Sequence, residues 1–298
     1  MQLEEAIKAR HSSRQFLPDK EVPRAVLEQA LQLATHAPSN SNTQAWRLFV
    51  VRGAALTRLR TALYDHAAAP DAPPPAAATE LPPALQAYRS ELGALLYGEL
   101  LGLARSDAAG RRAALLRNYR FFDAPVGVVA CMSADLRGEA ALCVGMYLQT
   151  LLLALTEAGV GSCVQIAIAG YPDVVRREVG IPADLEILCG ISVGYEDEAA
   201  AINRENEVLR RMTPGKMPLN PITMQSPVYR RIADEGIPLS YSCSPPRDRK
   251  TEHSGALNST TTTSPRAAWN CPRPILLVSA AKNREEAAVP DRLVQAGL

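Results

Sequence analysis

The feature that most constrains this chain is the run from Glu139 to Ala158 (EAALCVGMYLQTLLLALTEA), which is apolar on nearly every face of a helix. Such a helix has no face to give to water, so core or a partner subunit must cover it on every side. Gly159 supplies its C-terminal stop. Three other runs read as buried strands: Trp46–Arg52 (WRLFVVR), Ala124–Met132 (APVGVVACM) and Leu185–Gly194 (LEILCGISVG). A shorter strand is expected near 162–168. Helices are expected over 2–9, 23–36, 54–65, 84–105, 108–118 and about 172–179. In the second of these Leu27, Ala30, Leu31 and Ala34 share one face, and Pro23 suits its first turn. The Ala/Pro-rich stretch 66–83 reads as an irregular surface excursion. Helices and strands mix without regular βα repeats, which favours an α+β class over a doubly wound sheet.

At 298 residues the chain has room for one large or two small domains. Its net charge of +1 gives no overall field toward nucleic acid or an anionic membrane. No basic stripe with interleaved aromatics is present. The opening MQLEE is acidic and lacks the apolar run of a signal peptide. The most apolar stretch, Leu142–Leu155, is interrupted by Gln149 and is too short to span a bilayer. Of the six cysteines, Cys131, Cys143, Cys163 and Cys189 sit inside apolar segments and read as reduced core thiols. A cytoplasmic location is expected. From about Met212 prolines recur, helical periodicity is lost and Thr260–Thr263 is a homopolymer. The expected division is therefore a domain over 1–211 and a Pro/Ser/Thr-rich, poorly ordered tail over 212–298. Only Pro274–Ala281 (PILLVSAA) in that tail has the look of a strand.

Two clusters carry chemical potential. Arg10-His11-Ser12-Ser13-Arg14 brings two guanidiniums, an imidazole and two hydroxyls together, a donor set that matches phosphate. Taken alone it equally describes a solvated basic helix end. Between a helix and a strand, Ala37-Pro38-Ser39-Asn40-Ser41-Asn42-Thr43-Gln44-Ala45-Trp46 offers six successive polar residues that can pair with the edge of a heteroaromatic ring. By itself this is a polar turn.

In this order and at this separation the two clusters resemble the FMN-dependent nitroreductase family, with its R-x-S-x-R and A-P-S-x-x-N-x-Q-x-W segments. The resemblance continues through Tyr97-Gly98, Asn118–Pro125 (NYRFFDAP), Gly159–Gln165 (GVGSCVQ) and Cys189–Tyr195 (CGISVGY), covering about residues 1–204. The NxxFFxAPV segment is similar to the nitrobenzoate-reductase branch. The resemblance implies a central mixed sheet flanked by helices in an intertwined homodimer. It also implies FMN, with NADPH or NADH as donor, in ping-pong reduction of small electron-poor acceptors such as nitroaromatics, quinones or enones. By the same resemblance, Arg10, Ser12 and Arg14 would hold the FMN phosphate and the pyrimidine side of the ring, with His11 contributing. Pro38, Ser39, Asn40 and Asn42 would reach the flavin from the other subunit. Val164, Gln165 and Ile166 would line the isoalloxazine, and Gly190 and Ser192 would lie close to it. Tyr97, Phe121 and Phe122 are candidate acceptor walls, and for the two phenylalanines a core role is an equal alternative. The flavin carries the redox chemistry, so no side chain is expected as catalytic acid or base.

The match ends near Asn203-Arg204. The family continues through an asparagine to an arginine followed by proline, which contacts the FMN phosphate; here Arg210 lies near the expected spacing, and no R-x-P follows it. Two rival readings follow. One is a protein that binds flavin without catalysis. The other is a hydrolase using Ser192, because Gly190-Ile191-Ser192-Val193-Gly194 matches G-x-S-x-G. That motif needs a strand–turn–helix elbow and a downstream histidine, and only His253 follows. No histidine–cysteine or HExxH pattern suggests a metal.

Overall fold

The computed structural model describes residues 1–76, 82–136, 138–204 and 275–278. Within them lie α1 (Leu3–Ala9), α2 (Arg24–Ala34), β1 (Trp46–Arg52), α3 (Gly53–Ala68), α4 (Pro83–Gly93) and α5 (Ala108–Leu116). They are followed by β2 (Val126–Ser133), α6 (Glu139–Glu157), β3 (Gly161–Gln165), α7 (Pro172–Val179), β4 (Leu185–Gly194) and β5 (Ile275–Val278). The sheet runs β3-β4-β2-β1-β5. All its pairings are antiparallel except β1 with β5, which is parallel, so the sheet is mixed. These residues belong to one unit of the chain.

Side-chain alternation divides the interior in two, because successive residues of a strand face opposite sides of a sheet. Trp46, Leu48 and Val50 of β1, with Val126, Val128 and Ala130 of β2, join α2 and α6 in one core. Phe49 and Val51, with Val129 and Cys131, join α3 and α7 in the other. With both faces covered, the strands read as continuous apolar runs, which is why they were legible in the sequence. In β4, residues 189, 191 and 193 face the first core, whereas 185 and 187 face the second. A bulge explains the change of side. Ala130 pairs with Cys189 and Cys131 with Ile187, so Leu188 is an extra residue and every side chain beyond it switches face.

Several expectations are corrected. The strand expected over 162–168 stops at Gln165, and 166–170 form a 3-10 turn that sends the Ile168 side chain against Gly190 of β4. The helix expected over 84–105 stops as an α-helix at Gly93 and continues to Leu100 as a π-helical segment. Residues 117–123 form a 3-10 turn in which Phe121, Phe122 and Asp123 all have left-handed backbone, with φ of +53°, +50° and +65°. Pro23 caps α2 from one residue outside it, and α3 runs on to Ala68, taking the start of the Ala/Pro stretch.

The apolar helix is only half covered. One side of α6 packs on the sheet and α2 through Val144, Tyr147, Leu151 and Leu155. Its other side leaves Leu142 68% exposed, with Gly145 and Gln149. By length and composition the window Ala140–Glu157, at mean hydropathy 1.5, is long enough to cross a membrane, so the sequence argument from shortness does not hold. What distinguishes this helix is the side built into the core. The four cysteines behave as expected: all are buried and free. Burial pushes the Cys131 and Cys189 thiols up to about 12. Cys243 and Cys271 lie outside the described residues, as does all of 212–298 except Ile275–Val278.

Candidate active site

The cluster after α1 is held in an extended path along the ends of β3 and β4. Ser12 bridges Ser162 and Phe16 bridges Glu196. The Ser13 amide donates to the Ser162 carbonyl (3.0 Å) and the Leu17 amide to the Tyr195 carbonyl (2.9 Å). Gly161 makes the first approach possible, since a Cβ there would stand 2.6 Å from Ser13 Oγ. Glu196 anchors the segment from β4. It accepts from Ser13 Oγ (2.9 Å) and meets His11 Nε2 (2.8 Å), while His11 Nδ1 lies 2.8 Å from the Ala9 carbonyl. The hydrogen bond to Glu196 raises the His11 pKa against the opposing effect of burial. The same bond lowers that of Glu196. His11 is thereby committed to Glu196 and the backbone.

A cavity of about 190 Å³ opens beside Arg14. Tyr97, Arg117, Asn118, Phe122, Cys163 and Val164 also line it, and among the described residues no carboxylate does. Tyr97 arrives on the π-helical segment, where the Leu101 amide bonds back to the Leu96 carbonyl. Such segments occur disproportionately at functional sites. The Arg111 guanidinium lies 4.5 Å from the centre of the Tyr97 ring. Phe122 arrives on the left-handed turn, a conformation that costs non-glycine residues energy and persists where surrounding structure enforces it. Burial pushes the pKa values of Arg14 and Arg117 down, and a guanidinium keeps its charge in a folded protein. Val164 and Ile166, at the end of edge strand β3, are apolar and exposed (38% and 56%). Two guanidiniums, amide and phenol groups, aromatic walls and an apolar shelf suit a flat ring system that accumulates negative charge. The donor set therefore fits a flavin.

The remaining expected residues fall in different places. Gln165 is buried, and its amide is spent inside the protein: Nε2 donates to the Asn118 carbonyl (2.7 Å) and Oε1 accepts from Ser192 Oγ. It supports Asn118 at the cavity. Ser192 is fully buried within β4, opposite Gly127 and Cys163, with no strand–turn–helix elbow, so the hydrolase reading fails. At Gly190 a Cβ would stand 2.5 Å from Ile168 Cγ1, so the space against its Cα is filled by protein. Phe121 is fully buried in the second core, packed against Gly127. Pro38, Asn40 and Asn42 are exposed, and none of the 38–42 segment lines the cavity. That loop sits near the start of α6, with the Asn40 amide 3.3 Å from Cys143 Sγ, and Ser41, Asn42 and Gln44 have left-handed backbone. Ser39 Oγ accepts from the Gln44 amide (3.0 Å). Arg10 is partly buried beside the cluster, and Arg210 lies outside the described residues.

Sequence reasoning did not single out Arg117, Glu196 or the side chain of Asn203. Arg117 is one of several arginines between 105 and 120, and nothing in spacing separates it from the rest. Here its Nη2 donates to the Arg14 carbonyl (3.0 Å) and to the Gln15 side chain.

Comparison with known proteins identifies the family. The model of the nitroreductase family matches residues 7–195. The nitrobenzene nitroreductase of Ectopseudomonas oleovorans is 34% identical over 205 residues, which are 68% of this chain and 90% of that protein. The 4-nitrobenzoate reductase of Nocardioides sp. is 36% identical over 198 residues, 64% of this chain and 79% of its own length. Among solved structures, the FMN and NADPH-dependent nitroreductase NfnB from Sphigopyxis sp. strain HMH superposes with a TM-score of 0.65 at 34% identity, covering 68% of this chain and 92% of that one. With its mixed sheet, its R-x-S-x-R segment on the ends of β3 and β4 and its matched 189-residue span (7–195), this chain belongs to the nitroreductase family.

Proposed function

We propose that this chain is an FMN-dependent, NAD(P)H-driven reductase of small electron-poor organic molecules, with nitroaromatics as the first acceptors to test. The observation that carries the proposal is the convergence of Arg14, Tyr97, Asn118, Phe122 and Val164, from four separate segments, on one cavity to which the described residues bring no carboxylate. Bound FMN would supply the redox chemistry, hydride transfer between nicotinamide and acceptor. The chain's own residues bind, orient and bias that chemistry. Arg10, Ser12 and Arg14 supply donors to phosphate and to the electron-rich edge of the ring, and Arg14 and Arg117 favour negative charge there in a site of low polarity. Val164 and Ile166 form the apolar shelf. Tyr97 and Phe122 wall the space left for a planar acceptor. Arg210, by its spacing, is assigned to the phosphate. NADPH is the donor of the NfnB relative and the one to try first.

We assign the working unit to a homodimer. The outer side of α6, with Leu142, and the exposed Leu3 and Ile7 of α1 form an apolar surface. The 38–42 loop stands near the start of α6, and Pro38, Ser39, Asn40 and Asn42 are assigned to the flavin of the second copy. The activity is assigned to residues 1–211 and the location to the cytoplasm.

The test is the visible spectrum of the purified chain, before and after anaerobic addition of NADPH. Flavin bands that bleach on addition, and return with a nitroaromatic, are the expected result. A protein that stays colourless after incubation with FMN refutes the proposal.

A further inference from the structure

We propose that Asn203 is a positioning residue for the flavin site, holding the Arg14–Gln15 backbone so that the Arg14 guanidinium enters the cavity from a fixed place. Between the two bridges that tie the segment to Ser162 and Glu196, the Ser13 amide donates to the Ser162 carbonyl and the Gln15 carbonyl accepts from the Asp197 amide (3.1 Å). The amides of Arg14 and Gln15 are met by the Asn203 carboxamide. Oδ1 accepts from the amides of Arg14 (2.7 Å) and Gln15 (3.2 Å), and Nδ2 donates to the carbonyls of Gln15 (2.7 Å) and Asp197 (2.9 Å).

A carboxamide has two acceptor sites on oxygen and two protons on nitrogen, and here all four are used. The two amides and two carbonyls also fix which way the group points. Aspartate would face two carbonyl oxygens with a carboxylate, and serine would fall short of both sides. Asn203 is 7% exposed, so water does not substitute for it.

The position held is functional as well as structural. The Arg14 peptide is gripped at its N–H by Asn203 and at its carbonyl by Arg117 Nη2. Arg14 Nη1 itself donates back to the Ser12 carbonyl at 3.2 Å, and the Arg14 side chain lines the cavity. A tilt of that peptide therefore moves the cation. Ile202, next to Asn203 on the same turn, lines the cavity itself. Charge placed to stabilise a developing anion acts only if it is held within about 0.5 Å of the productive position.

The inference rests on the flavin reading above. The experiment uses full-length chains: wild type, Asn203→Leu, Asn203→Asp, and Leu59→Ala as a core variant on α3, which lends no residue to the cavity lining. Amide hydrogen exchange in the apoproteins reads the clamp directly, and flavin-fluorescence titration with FMN reads its consequence. In Asn203→Leu, protection at Arg14 and Gln15 should be lost and the FMN Kd should rise at least tenfold. The midpoint potential of bound FMN should fall, because the cation no longer favours the reduced ring. Leu59→Ala should lose stability while its Kd stays within twofold of wild type. If Asn203→Leu does not fold, Asn203→Asp, which keeps both acceptors, should show the same changes in smaller measure. A folded Asn203 variant with wild-type Kd and potential overturns the role while leaving the flavin reading intact. Failure of the wild type to bind FMN overturns both.

Discussion

Gly190→Ala tests whether the glycine of β4 exists for packing or for ligand approach. The added Cβ would stand 2.5 Å from Ile168 Cγ1, 2.9 Å from its Cβ and 3.1 Å from its Cγ2. Carbon pairs rest at about 3.5–4.0 Å, so the turn bearing Ile168 must retreat by about 1 Å. Rotation of Ile168 does not relieve this, because its own Cβ is among the clashing atoms and β-branching leaves few rotamers. Ile168 is fully buried, so there is nowhere for it to go. Overpacking of this kind costs about 1–3 kcal/mol, or a fall in Tm of roughly 2–12 °C for a domain of this size. Ile168→Ala alone should cost about 2–5 kcal/mol through the cavity it leaves. In the double variant the alanine methyl at 190 enters that cavity, so the combined cost should fall short of the sum by at least about 1 kcal/mol. Urea unfolding followed by circular dichroism measures all four proteins. Additivity within about 0.5 kcal/mol would refute the packing argument. A loss of FMN affinity in Gly190→Ala that persists in the double variant would restore the ligand-approach reading.

Three further outcomes follow from the same structure. Glu196→Gln should cost about 1–3 kcal/mol near pH 5.5. His11 is raised above its ordinary 6.5 and Glu196 lowered below its ordinary 4.5, so this difference is full between those values. It should shrink as pH rises through the folded His11 pKa, and again as pH falls through that of Glu196. A difference that grows above pH 8 would contradict the pairing. Ser192→Ala removes the donor to buried Gln165 Oε1 and should destabilise by about 1–3 kcal/mol. Its effect should appear in unfolding curves, with no esterase activity in either protein to lose. Leu142→Lys should leave a folded chain but shift sedimentation from dimer toward monomer, and a wild type already monomeric at micromolar concentration would remove the basis for that expectation.

The elements read most accurately from the sequence were those buried on both faces or closed by a strong stop signal. β1 and β4 have the predicted limits because a strand between two cores is largely apolar, and the ends of that run are the ends of the strand. α7 runs from Pro172 to the left-handed Gly180, both visible as letters. The cluster at 10–14 was legible because its donors are contiguous.

What the sequence could not show is where chain direction changes for tertiary reasons. β3 ends at Gln165 because Ile168 is needed beneath Gly190, a contact between residues 22 positions apart. The left-handed turn at Phe121–Asp123 contradicts the preference of those residues and is imposed by burial of Phe121 against Gly127. The uncovered half of α6 is invisible in a periodicity that is apolar all round, since only the tertiary structure decides which half meets the sheet. Gln165 and Asn203 followed the same rule. A lone amide in a sequence has four hydrogen-bonding capacities and no stated partners, and it acquires a role only when folding brings two donors and two acceptors to it from distant parts of the chain.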